Sequence, residues 1–455
     1  MAGVSTFFGL ETTLRGLLAQ QGALDVTSHN IANANTPGYS RQQAVLSASD
    51  PLQVTDGTRL STLASLGTGV DIQSYQRIRD QFLDLQYRAQ NMVLGQQSAT
   101  SDALSNVETA LQEPGTNGIS AQLAKFWSAW SDVANNPDGA SSTAGKQALV
   151  DQANTLVESL HSLDSQLTAA SQDAGNEYTS LTAPGGQVDQ DVREIANLNK
   201  AIKASVAAGD KPNDLMDKRD QLLDDLSGLG QVSVADNGDG SITLNFGDAA
   251  NPVVDGSSNV DWPQTLNNAG PPPTSPGGKL GALYDIFKSG GTVDSLRSDL
   301  NGVASNLAST VNAIHNRGGA TGTDFFSVGA AGTEASTIAV NVNAQTVVTD
   351  SGGPALGDVA AQIAALRGGT ADSAYSTFVT RIGSMVQNAQ RQQSTAQALV
   401  NAADSSRQST SGVSMDEEMT NMIKFQRAYQ ASARAMTTMD QLLDTLINRT
   451  GSAGL

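Results

Sequence analysis

The sequence contains no cysteine, which excludes a disulfide framework, thiolate chemistry and any metal site with cysteine ligands. Aromatic residues make up only 4% of the 455 residues, so any core must depend mainly on Leu, Val, Ile and Ala. The three histidines, His29, His161 and His315, stand far apart in the chain, and packing or surface roles suit them better than metal ligation. We therefore expect no metal and no cofactor.

Long apolar runs are also missing. No stretch supplies the roughly 18 consecutive apolar residues that a transmembrane helix needs. No basic residue precedes Arg15, and the early apolar residues are spaced along a helix face, so the N-terminus does not resemble a cleaved secretory signal. Taken alone, these absences indicate a cytoplasmic protein, unless export follows a route that needs no cleaved signal.

Basic residues are few, 26 against 45 acidic ones, and the formal net charge at pH 7 is −19. The basic residues are scattered and form no stripe, so we expect no nucleic acid partner. The acidic surface favours solubility, and nothing in the sequence indicates a small-molecule substrate.

Catalytic motifs are absent too. The sequence has no P-loop, no dinucleotide fingerprint after a strand, no H-E-x-x-H and no G-x-S-x-G. Asp224 and Asp225 are neighbours on a predicted helix and point different ways, and residues 236–240 have the wrong spacing for a calcium loop. We expect no catalytic residues. A hydrolase acting on cell-wall glycan stays open only if the fold brings two carboxyls about 5–10 Å apart in a pocket.

What the sequence does contain is a long amphipathic pattern at each end. Ser414 and Glu417 have the spacing of a capping box, and no Pro or Gly interrupts the chain from there to Gly451. We predict one helix of roughly 35 residues, about 50 Å long. Its apolar row, at alternating steps of four and three, comprises Met415, Met419, Met422, Tyr429, Ala433, Met436, Leu443 and Ile447.

The N-terminal helix has the same spacing. Its apolar row comprises Phe7, Leu10, Leu14, Leu17, Leu24 and Ile31. The two terminal helices are predicted to pair as a coiled coil, although some 370 residues separate them. Each apolar stripe is broader than a two-helix seam, which favours packing against further copies of the chain.

Two alternative roles for the terminal helices stay open. The helices could belong to a plain bundle inside one monomer, which general packing frequencies favour for two arbitrary helices. They could instead insert into membranes, as in a secreted effector, although neither helix has the Lys/Arg-rich polar face that anionic membranes favour.

A polar turn follows the first helix. Asn30 and Asn33 stand at its end, and Thr36, Pro37, Gly38 and Tyr39 form a sharp exit, because Thr36 is pushed out of the helical region and Gly38 tolerates positive φ. On the residues alone, this segment is a polar C-terminal turn.

The middle of the chain is mostly helical by period. Ile78, Phe82, Leu85, Ala89 and Met92 mark a long helix that ends before Pro114, and further helices are predicted at 141–182, 187–208, 213–227, 293–316 and 373–409. Asn213 is the expected N-cap of its helix. Alternation around the Gly-rich turn at 237–240 predicts a β-hairpin, and Ile338, Val340 and Val342 alternate as in a strand.

These elements give a mainly α fold with a β-rich insert, in a nested order. Residues 1–55 with 408–455 are predicted to form a coiled-coil-like core domain of terminal helices. Residues 56–229 with 281–322 and 351–407 form a long-helix bundle, and 230–280 with 323–350 form a small, outermost β domain.

Specific strings add a resemblance to a known family. Residues 30–33 and 36–39 look like the N-terminal signature of the axial proteins of the bacterial flagellum, and residues 416–433 are similar to their C-terminal signature. Rod and hook proteins share those signatures. Residues 36–42, 213–222, 277–283 and 324–326 resemble the flagellar hook-associated protein 1 family, which forms the hook–filament junction.

The resemblance implies a structural role. It implies export without a cleaved signal, an extracellular place in the flagellum, and a ring of copies that contacts hook protein and the next hook-associated junction protein. It also implies an export chaperone that binds the C-terminal helix, and terminal helices that line the inner tube. We expect the two apolar rows to form the assembly interface and residues 30–39 the family motif.

Overall fold

The computed structural model describes residues 7–54, 64–137, 140–247, 252–259, 275–316, 323–352 and 356–449. Its helices are α1 (Phe8–Ala32), α2 (Gln81–Leu111), α3 (Ile119–Asn135), α4 (Ala140–Thr182), α5 (Gln187–Ala207), α6 (Asn213–Leu229), α7 (Gly278–Phe287), α8 (Thr292–His315), α9 (Glu334–Thr337), α10 (Asp358–Ala364), α11 (Thr370–Ser411) and α12 (Met415–Arg449). The prediction of a mainly helical chain is confirmed. None of the described helices combines the length and the apolar content needed to cross a bilayer.

The strands form small antiparallel sheets. They are β1 (Gln42–Ala48), β2 (Leu52–Val54), β3 (Ala64–Leu66), β4 (Val70–Arg77), β5 (Val232–Asp236), β6 (Ile242–Phe246), β7 (Pro252–Asp255), β8 (Ser258–Asn259), β9 (Phe326–Ser327) and β10 (Ala339–Val340). Strand β1 pairs with β4, β2 with β3 and β9 with β10, while β5 to β8 form one four-stranded sheet in chain order.

The terminal helices pair as predicted. Helix α1 packs along α12, and the two run antiparallel, because Gly9 faces Met439 and Gly16 faces Ser432. The other side of α1 lies on the β1–β4 hairpin. A Cβ atom on Gly22 would stand 2.4 Å from Cδ1 of Ile72, so a larger residue there would require the Ile72 side chain to shift.

The long helices build one layer around a continuous apolar core. Its centre is aromatic: Phe126 and Trp130 of α3 pack against Phe325, with 5.2 Å between the ring centroids of Trp130 and Phe325. Helix α2 lies along α11 and α6. Gly95 of α2 is needed there, since a Cβ atom would stand 2.0 Å from the carbonyl oxygen of Gly228.

The four-stranded sheet covers α5 and α6. The predicted hairpin is present as β5 and β6, paired from Val232 with Phe246 to Asp236 with Ile242. Leu244, Phe246 and Val254 are fully buried and belong to the same apolar core as the helices. The sheet is therefore packed on the helical layer and is not a separate globule.

The segment 323–350 is placed differently from the prediction that groups it with the outer sheet. Strand β10 contacts α4 and strand β9 contacts α8, while Phe325 and Phe326 are fully buried among the aromatic residues of the helical layer. Alternating apolar residues predicted a strand in this segment, and β10 is present there. Phe325 and Phe326 lie in the aromatic core of the helical layer. The division into three domains stays a prediction.

One local prediction is wrong, and one correctly predicted helix buries a different face from its apolar row. Asn213 is the first residue of α6 and not its N-cap, because its side-chain amide donates to Gln42 and to the carbonyl of Tyr75 instead. Phe82 and Leu85 do not face the core: they are 70% and 56% exposed, while Asp84 and Arg88 fill the buried face of α2.

Candidate assembly site

The predicted interface residues divide into two groups in the structure. Phe7, Leu14 and Met419 are exposed. The half-buried group comprises Leu10, Leu17, Leu24, Ile31, Met422, Tyr429, Met436 and Leu443. Ile447 lies in α12, but its side chain falls outside the described part of the structure. Pairing thus covers the two rows incompletely.

Further apolar side chains are exposed on the same two helices. The largest exposed fractions there, besides that of Phe7, are 54% for Leu18 and 54% for Leu442. We call the whole exposed set the terminal apolar face, and it comprises Phe7, Leu14, Leu18, Met415, Met419, Ile423, Met439 and Leu442. Eight large, partly exposed apolar side chains on this described helix pair are thus available for contacts with another molecule.

The polar motif at the end of α1 folds around Asn30. Its buried amide donates to the carbonyl of Gln42 at 2.9 Å, and its oxygen accepts from the backbone N–H of Gln42 at 2.9 Å and from the Tyr39 hydroxyl at 2.7 Å. The predicted polar turn is therefore present, and it also fixes the start of β1 to the helix.

The rest of the motif shapes that turn. The Asn33 amide donates to the carbonyl of His29, one of the last helix carbonyls, and the backbone N–H of Thr36 donates to Asn33. Gly38 takes a φ of +77°, which favours glycine, and Pro37 is exposed. Burial and the carboxylates of Asp214, Asp217 and Glu418 raise the pKa of Tyr39, so its hydroxyl stays a hydrogen-bond donor.

Asn30 also reaches the other terminal helix. Glu418 at the start of α12 is only 2% exposed, and one of its carboxylate oxygens accepts from the Asn30 amide at 3.1 Å. Its other oxygen lies 2.8 Å from Nε of Arg41. We call Asn30, Arg41 and Glu418 the polar clasp. It joins the end of α1, the start of β1 and the start of α12.

Arg41 bonds to two further groups. Its Nη1 lies 2.7 Å from exposed Glu417, and its backbone N–H donates to the carbonyl of Ser411 at 2.9 Å. Glu417 therefore pairs with Arg41, while its N–H approaches the Ser414 hydroxyl at 3.5 Å. In the predicted capping box, Ser414 caps the helix, but the Glu417 carboxylate binds across to Arg41.

A second polar cluster joins strand β4 to the helical layer. Arg77 lies 2.8 Å from both Asp217 and Asp220 of α6, and Arg79 lies 2.6 Å from Asp84. The remaining pairs are Arg79–Asp217, Arg79–Asp220, Arg88–Asp224, Arg88–Asp220, Arg407–Asp84, Arg407–Asp224 and Arg407–Asp404. We call this set the base network. It holds β4, α2, α6 and α11 together below the terminal pair.

The base network is buried or partly buried, and its charges compensate one another. Burial alone would raise the pKa of Asp220, but Arg79, Arg77 and Arg88 outweigh it and hold that pKa below its usual value. The backbone N–H of Ser40 donates to Asp217 at 3.0 Å, which ties the family motif to the same acidic helix.

Sequence reasoning did not identify the base network. It singled out residues 213–222 only as a string typical of a family. A physical signal was present, because Asp217, Asp220 and Asp224 recur at steps of three and four on one face of a helix. Arg77 and Arg79 stand two residues apart at the end of a strand, but nothing in the sequence shows that they meet this helix.

An open polar cleft of about 710 Å³ lies beside the motif, lined by residues 34–41, 407–409 and 411–414 among others. Its carboxylates are engaged in ion pairs, since Asp224 and Asp404 pair with Arg407, and Glu417 pairs with Arg41. The cleft therefore does not offer the free acid and base that a glycan hydrolase would need.

The histidines take part in packing. Nδ1 of buried His315 lies 3.0 Å from the carbonyl of Thr323, and its Nε2 accepts from the N–H of Val348. Burial lowers the pKa of His315. His161 contacts the carbonyl of Ile338, and His29 contacts Tyr39.

Comparison with known proteins gives the class first. Residues 10–39 match the family described as flagella basal body rod protein, and residues 404–449 match the one described as flagellar basal body rod FlgEFG protein C-terminal. These two segments contain most of the paired helices α1 and α12. The chain is thus an axial protein of the bacterial flagellum, with a structural role.

The rest of the chain narrows this class. Residues 104–326 match the family described as flagellar hook-associated protein FlgK helical domain. Flagellar hook-associated protein 1 of Bacillus subtilis (strain 168) is 32% identical over 521 aligned positions, which cover 99% of each chain. The chain belongs to the flagellar hook-associated protein 1 family, as the resemblance implied.

Other relatives are similar over less of their length or at lower identity. The protein of the same name from Salmonella typhimurium is 30% identical over 70% of this chain and 58% of its own, and that from Escherichia coli (strain K12) is 25% identical over 96% and 99%. The solved flagellar hook junction protein FlgK from Burkholderia pseudomallei aligns over 54% of this chain and 47% of its own, with 24% identity and a TM-score of 0.44.

Proposed function

We propose that this chain is a structural subunit of the hook–filament junction. Copies would form a ring that contacts hook protein on one side and the next hook-associated junction protein on the other. The observation that carries this proposal is the terminal apolar face, which the chain leaves uncovered on two helices that match flagellar rod segments.

Neighbouring copies are the natural cover for that face. Burying a fully exposed Leu, Ile or Met side chain contributes about 1.5–3 kcal/mol, and these side chains are about half-exposed, so many of them must be covered together to offset the cost of association. Helices with apolar residues on more than one side pack laterally in a tube, where each helix has several neighbours. The two terminal helices would thus line the inner tube.

The rest of the chain would lie outside them. In this arrangement residues 1–55 with 408–455 form the inner layer, and residues 56–229, 281–322 and 351–407 form the helical layer. Residues 230–280 would be outermost, and 323–350 would be included in the helical layer because Phe325 and Phe326 pack there.

Export would precede assembly. The flagellum lies outside the cell, so the subunit would be exported before it assembles. The proposed export route needs no cleaved signal, and a chaperone would cover the apolar side of α12 until export. The exposed residues Met419, Ile423 and Leu442 give such a chaperone its contact surface.

The test is incorporation of Ile423→Glu into flagella in cells that lack the native gene. A charge on the terminal apolar face must be desolvated when copies pack, so we expect junction incorporation and swimming to fall at least about tenfold. The readouts are immunoblots of isolated hook–filament complexes and motility in soft agar.

Two matched variants serve as controls. Ile423→Leu keeps the site apolar, and Ser376→Glu adds the same charge to an exposed position on α11, so both should incorporate normally. Native fluorescence of Trp127 and Trp130 checks that each helical layer is folded. Normal swimming of Ile423→Glu would refute the proposed role of this face.

A further inference from the structure

Three Asn-Gly dipeptides lie within the described residues: Asn117-Gly118, Asn237-Gly238 and Asn301-Gly302. The backbone nitrogen of such a glycine can attack the side-chain amide carbon of the asparagine, because glycine has no side chain to hinder the approach. The attack needs a glycine N–H that is free of hydrogen bonds and an asparagine side chain that can turn towards it. The fold therefore determines which dipeptide reacts.

The dipeptide at Asn301 is held by the helical layer. Asn301 is only 7% exposed, its amide donates to the carbonyl of Gly332 at 2.8 Å, and its oxygen accepts from the backbone N–H of Ala335 at 2.8 Å. Gly302 lies inside α8, where its N–H takes part in the hydrogen bonding of the helix. Neither reacting group is free.

The dipeptide at Asn237 is exposed but is held by its own hairpin. The Asn237 amide donates to the Ser241 hydroxyl at 3.1 Å, and its oxygen accepts from the Thr243 hydroxyl at 3.1 Å. The N–H of Gly238 donates to the carboxylate of Asp236 at 2.8 Å. The attacking nitrogen and the amide are thus both engaged.

The dipeptide at Asn117 has none of these restraints. It lies in the connection between α2 and α3, where the Asn117 side chain is exposed and borders an open groove of about 300 Å³. Among the described residues, neither the Asn117 side chain nor the N–H of Gly118 has a hydrogen-bond partner. From this difference we infer that Asn117 is a site of non-enzymatic deamidation, and that the fold protects the other two asparagines.

The reaction exchanges ammonia for water and changes no oxidation state. The Gly118 nitrogen loses its proton and forms a bond to Cγ of Asn117, the bond from Cγ to Nδ2 breaks, and Nδ2 leaves with that proton as ammonia. Water then opens the cyclic imide by adding its hydroxyl to one of the two carbonyl carbons and its hydrogen to the ring nitrogen. Opening at the main-chain carbonyl gives isoaspartate, and opening at Cγ gives aspartate.

Isoaspartate at position 117 alters the start of α3. Gly118 is the N-cap residue of α3, and a Cβ atom there would stand 2.4 Å from Oε1 of Glu113. That oxygen is held in place, because it accepts from the backbone N–H of Ser120 at 2.9 Å and from the Tyr375 hydroxyl at 3.2 Å. Isoaspartate lengthens the backbone by one carbon atom just before Gly118, so it disturbs a contact that joins α3 to α11.

This inference goes beyond the proposed junction function and does not rest on it, so it is tested on the purified full-length chain. The chain is incubated at pH 8, and its three Asn-Gly peptides are followed by mass spectrometry after digestion. We expect Asn117 to convert at least about tenfold faster than Asn237 and Asn301, because only those two must first give up hydrogen bonds. Fluorescence of Trp127 and Trp130 confirms that the incubated chain is folded.

The unfolded chain is the first control. In concentrated guanidinium chloride, all three dipeptides should convert at rates within about threefold of one another, since they then share the same freedom to reach the reacting geometry.

Substitutions at the protected hairpin provide the second control. Asp236→Ala frees the N–H of Gly238, and Thr243→Val removes the hydroxyl that binds the Asn237 oxygen. Each should speed the conversion of Asn237 at least about threefold and leave the other two dipeptides unchanged. Asp173→Ala is the matched variant, because it removes an exposed carboxylate of α4, and it should change none of the three rates.

Three results would overturn the inference. The first is an Asn117 that converts no faster than Asn237 or Asn301 in the folded chain. The second is an equally large preference for Asn117 in guanidinium chloride, which would assign it to the neighbouring residues and not to the fold. The third is an unchanged Asn237 rate in both Asp236→Ala and Thr243→Val, which would show that these hydrogen bonds give no protection.

Discussion

Asp189 and Asp191 stand two residues apart on α5, and their surroundings act on their carboxyl groups in opposite directions. Burial would raise the pKa of Asp189, but the backbone N–H of Gly185 and the guanidinium of Arg193 outweigh it and hold that pKa below its usual value. Burial and nearby Asp225 instead raise the pKa of Asp191 to about 6. One carboxylate is stabilised by folding, and the other is destabilised.

We expect Asp191→Asn to stabilise the protein at pH 8 by about 1 kcal/mol, an amount reduced because the group is only half-buried. Its pKa is higher folded than unfolded, so its ionisation costs stability as the pH rises from about 4 to about 6. The gain from Asn should therefore vanish near pH 4. Thermal melts at pH 4, 6 and 8 measure this, and an equal gain at all three would contradict it.

Asp189→Asn is the matched substitution with the opposite sign. Its depressed folded-state pKa contributes stability that is present above about pH 4 and is lost as the pH falls below that value. We expect a loss of about 1–2 kcal/mol at pH 7, since two hydrogen bonds to a charged group are weakened. Urea unfolding at pH 7 provides the measurement, and unchanged stability would show that Arg193 and Gly185 contribute nothing.

The sequence was informative about some of these residues and silent about others. It identified Asn30 and Tyr39 as parts of a polar turn, because Asn, Pro and Gly have local conformational preferences. It did not show that Asn30 would meet Glu418, since that contact joins residues 388 positions apart. The local conformation of a segment can be predicted from its residues, but the distant residue that it contacts in the fold cannot.

Among the elements, α2 shows most clearly what period predicts and what it does not. Apolar residues at helical spacing predicted the helix correctly, but in its first turns the apolar side faces outward. Asp84 and Arg88 take the inner side because the base network supplies their partners there. The spacing of apolar residues predicts the helix, but the elements packed against the helix determine which of its faces is buried.

We therefore expect opposite results from substitutions on the two sides of α2. Phe82→Ser should change the free energy of unfolding by less than about 0.5 kcal/mol, because the ring is exposed. Arg88→Met should cost about 2–4 kcal/mol, because it leaves the partly buried carboxylate of Asp224 with Arg407 as its remaining ion-pair partner.

Urea titrations of Phe82→Ser, Arg88→Met and the native chain measure these free energies of unfolding. Leu85→Ser repeats the exposed substitution one turn further along and serves as the control. If Phe82→Ser proves as costly as Arg88→Met, the outward placement of this stripe is wrong.

Short elements were the hardest to predict. Helices α7 and α10 have 10 and 7 residues, and neither is among the helices predicted from the sequence. Gly277 takes a φ of +72° just before α7, so a glycine that signals a loop in fact starts a helix. Long periodic segments were located well, since their pattern repeats over many turns.

At the scale of the whole molecule, the pairing of the two ends was readable from the sequence, and the nested order of domains stays a prediction. Two matching apolar rows, each too broad for one seam, predicted both the pair and its uncovered face. The place of residues 323–350 was not readable, because their strand pattern says nothing about which layer Phe325 and Phe326 join.

The net charge of −19 bears on association of whole subunits. Like charges on copies repel, whereas the terminal apolar face attracts, so salt should promote self-association of the purified chain. The Debye length falls from about 10 Å at 0.1 M salt to about 3 Å at 1 M. We expect a larger weight-average mass in 1 M than in 0.1 M NaCl by analytical ultracentrifugation.

Ile423→Glu provides the control for that measurement and should stay monomeric at both salt concentrations. Weaker association in 1 M NaCl would show that ion pairs, and not apolar contacts, hold the copies together.

The terminal apolar face, which we propose as the joining surface, lies on the first and the last helix that the structure describes, and the other described elements lie between them along the chain. A copy whose synthesis stops before Met415 has no α12. Its α1 then lacks its pairing partner, and only the α1 part of the terminal apolar face is present. If the terminal apolar face joins copies as proposed, such a fragment does not occupy the position of a complete subunit and therefore does not weaken the assembly there. Because the proposed joining surface needs both α1 and α12, only a chain synthesised through α12 would enter the assembly.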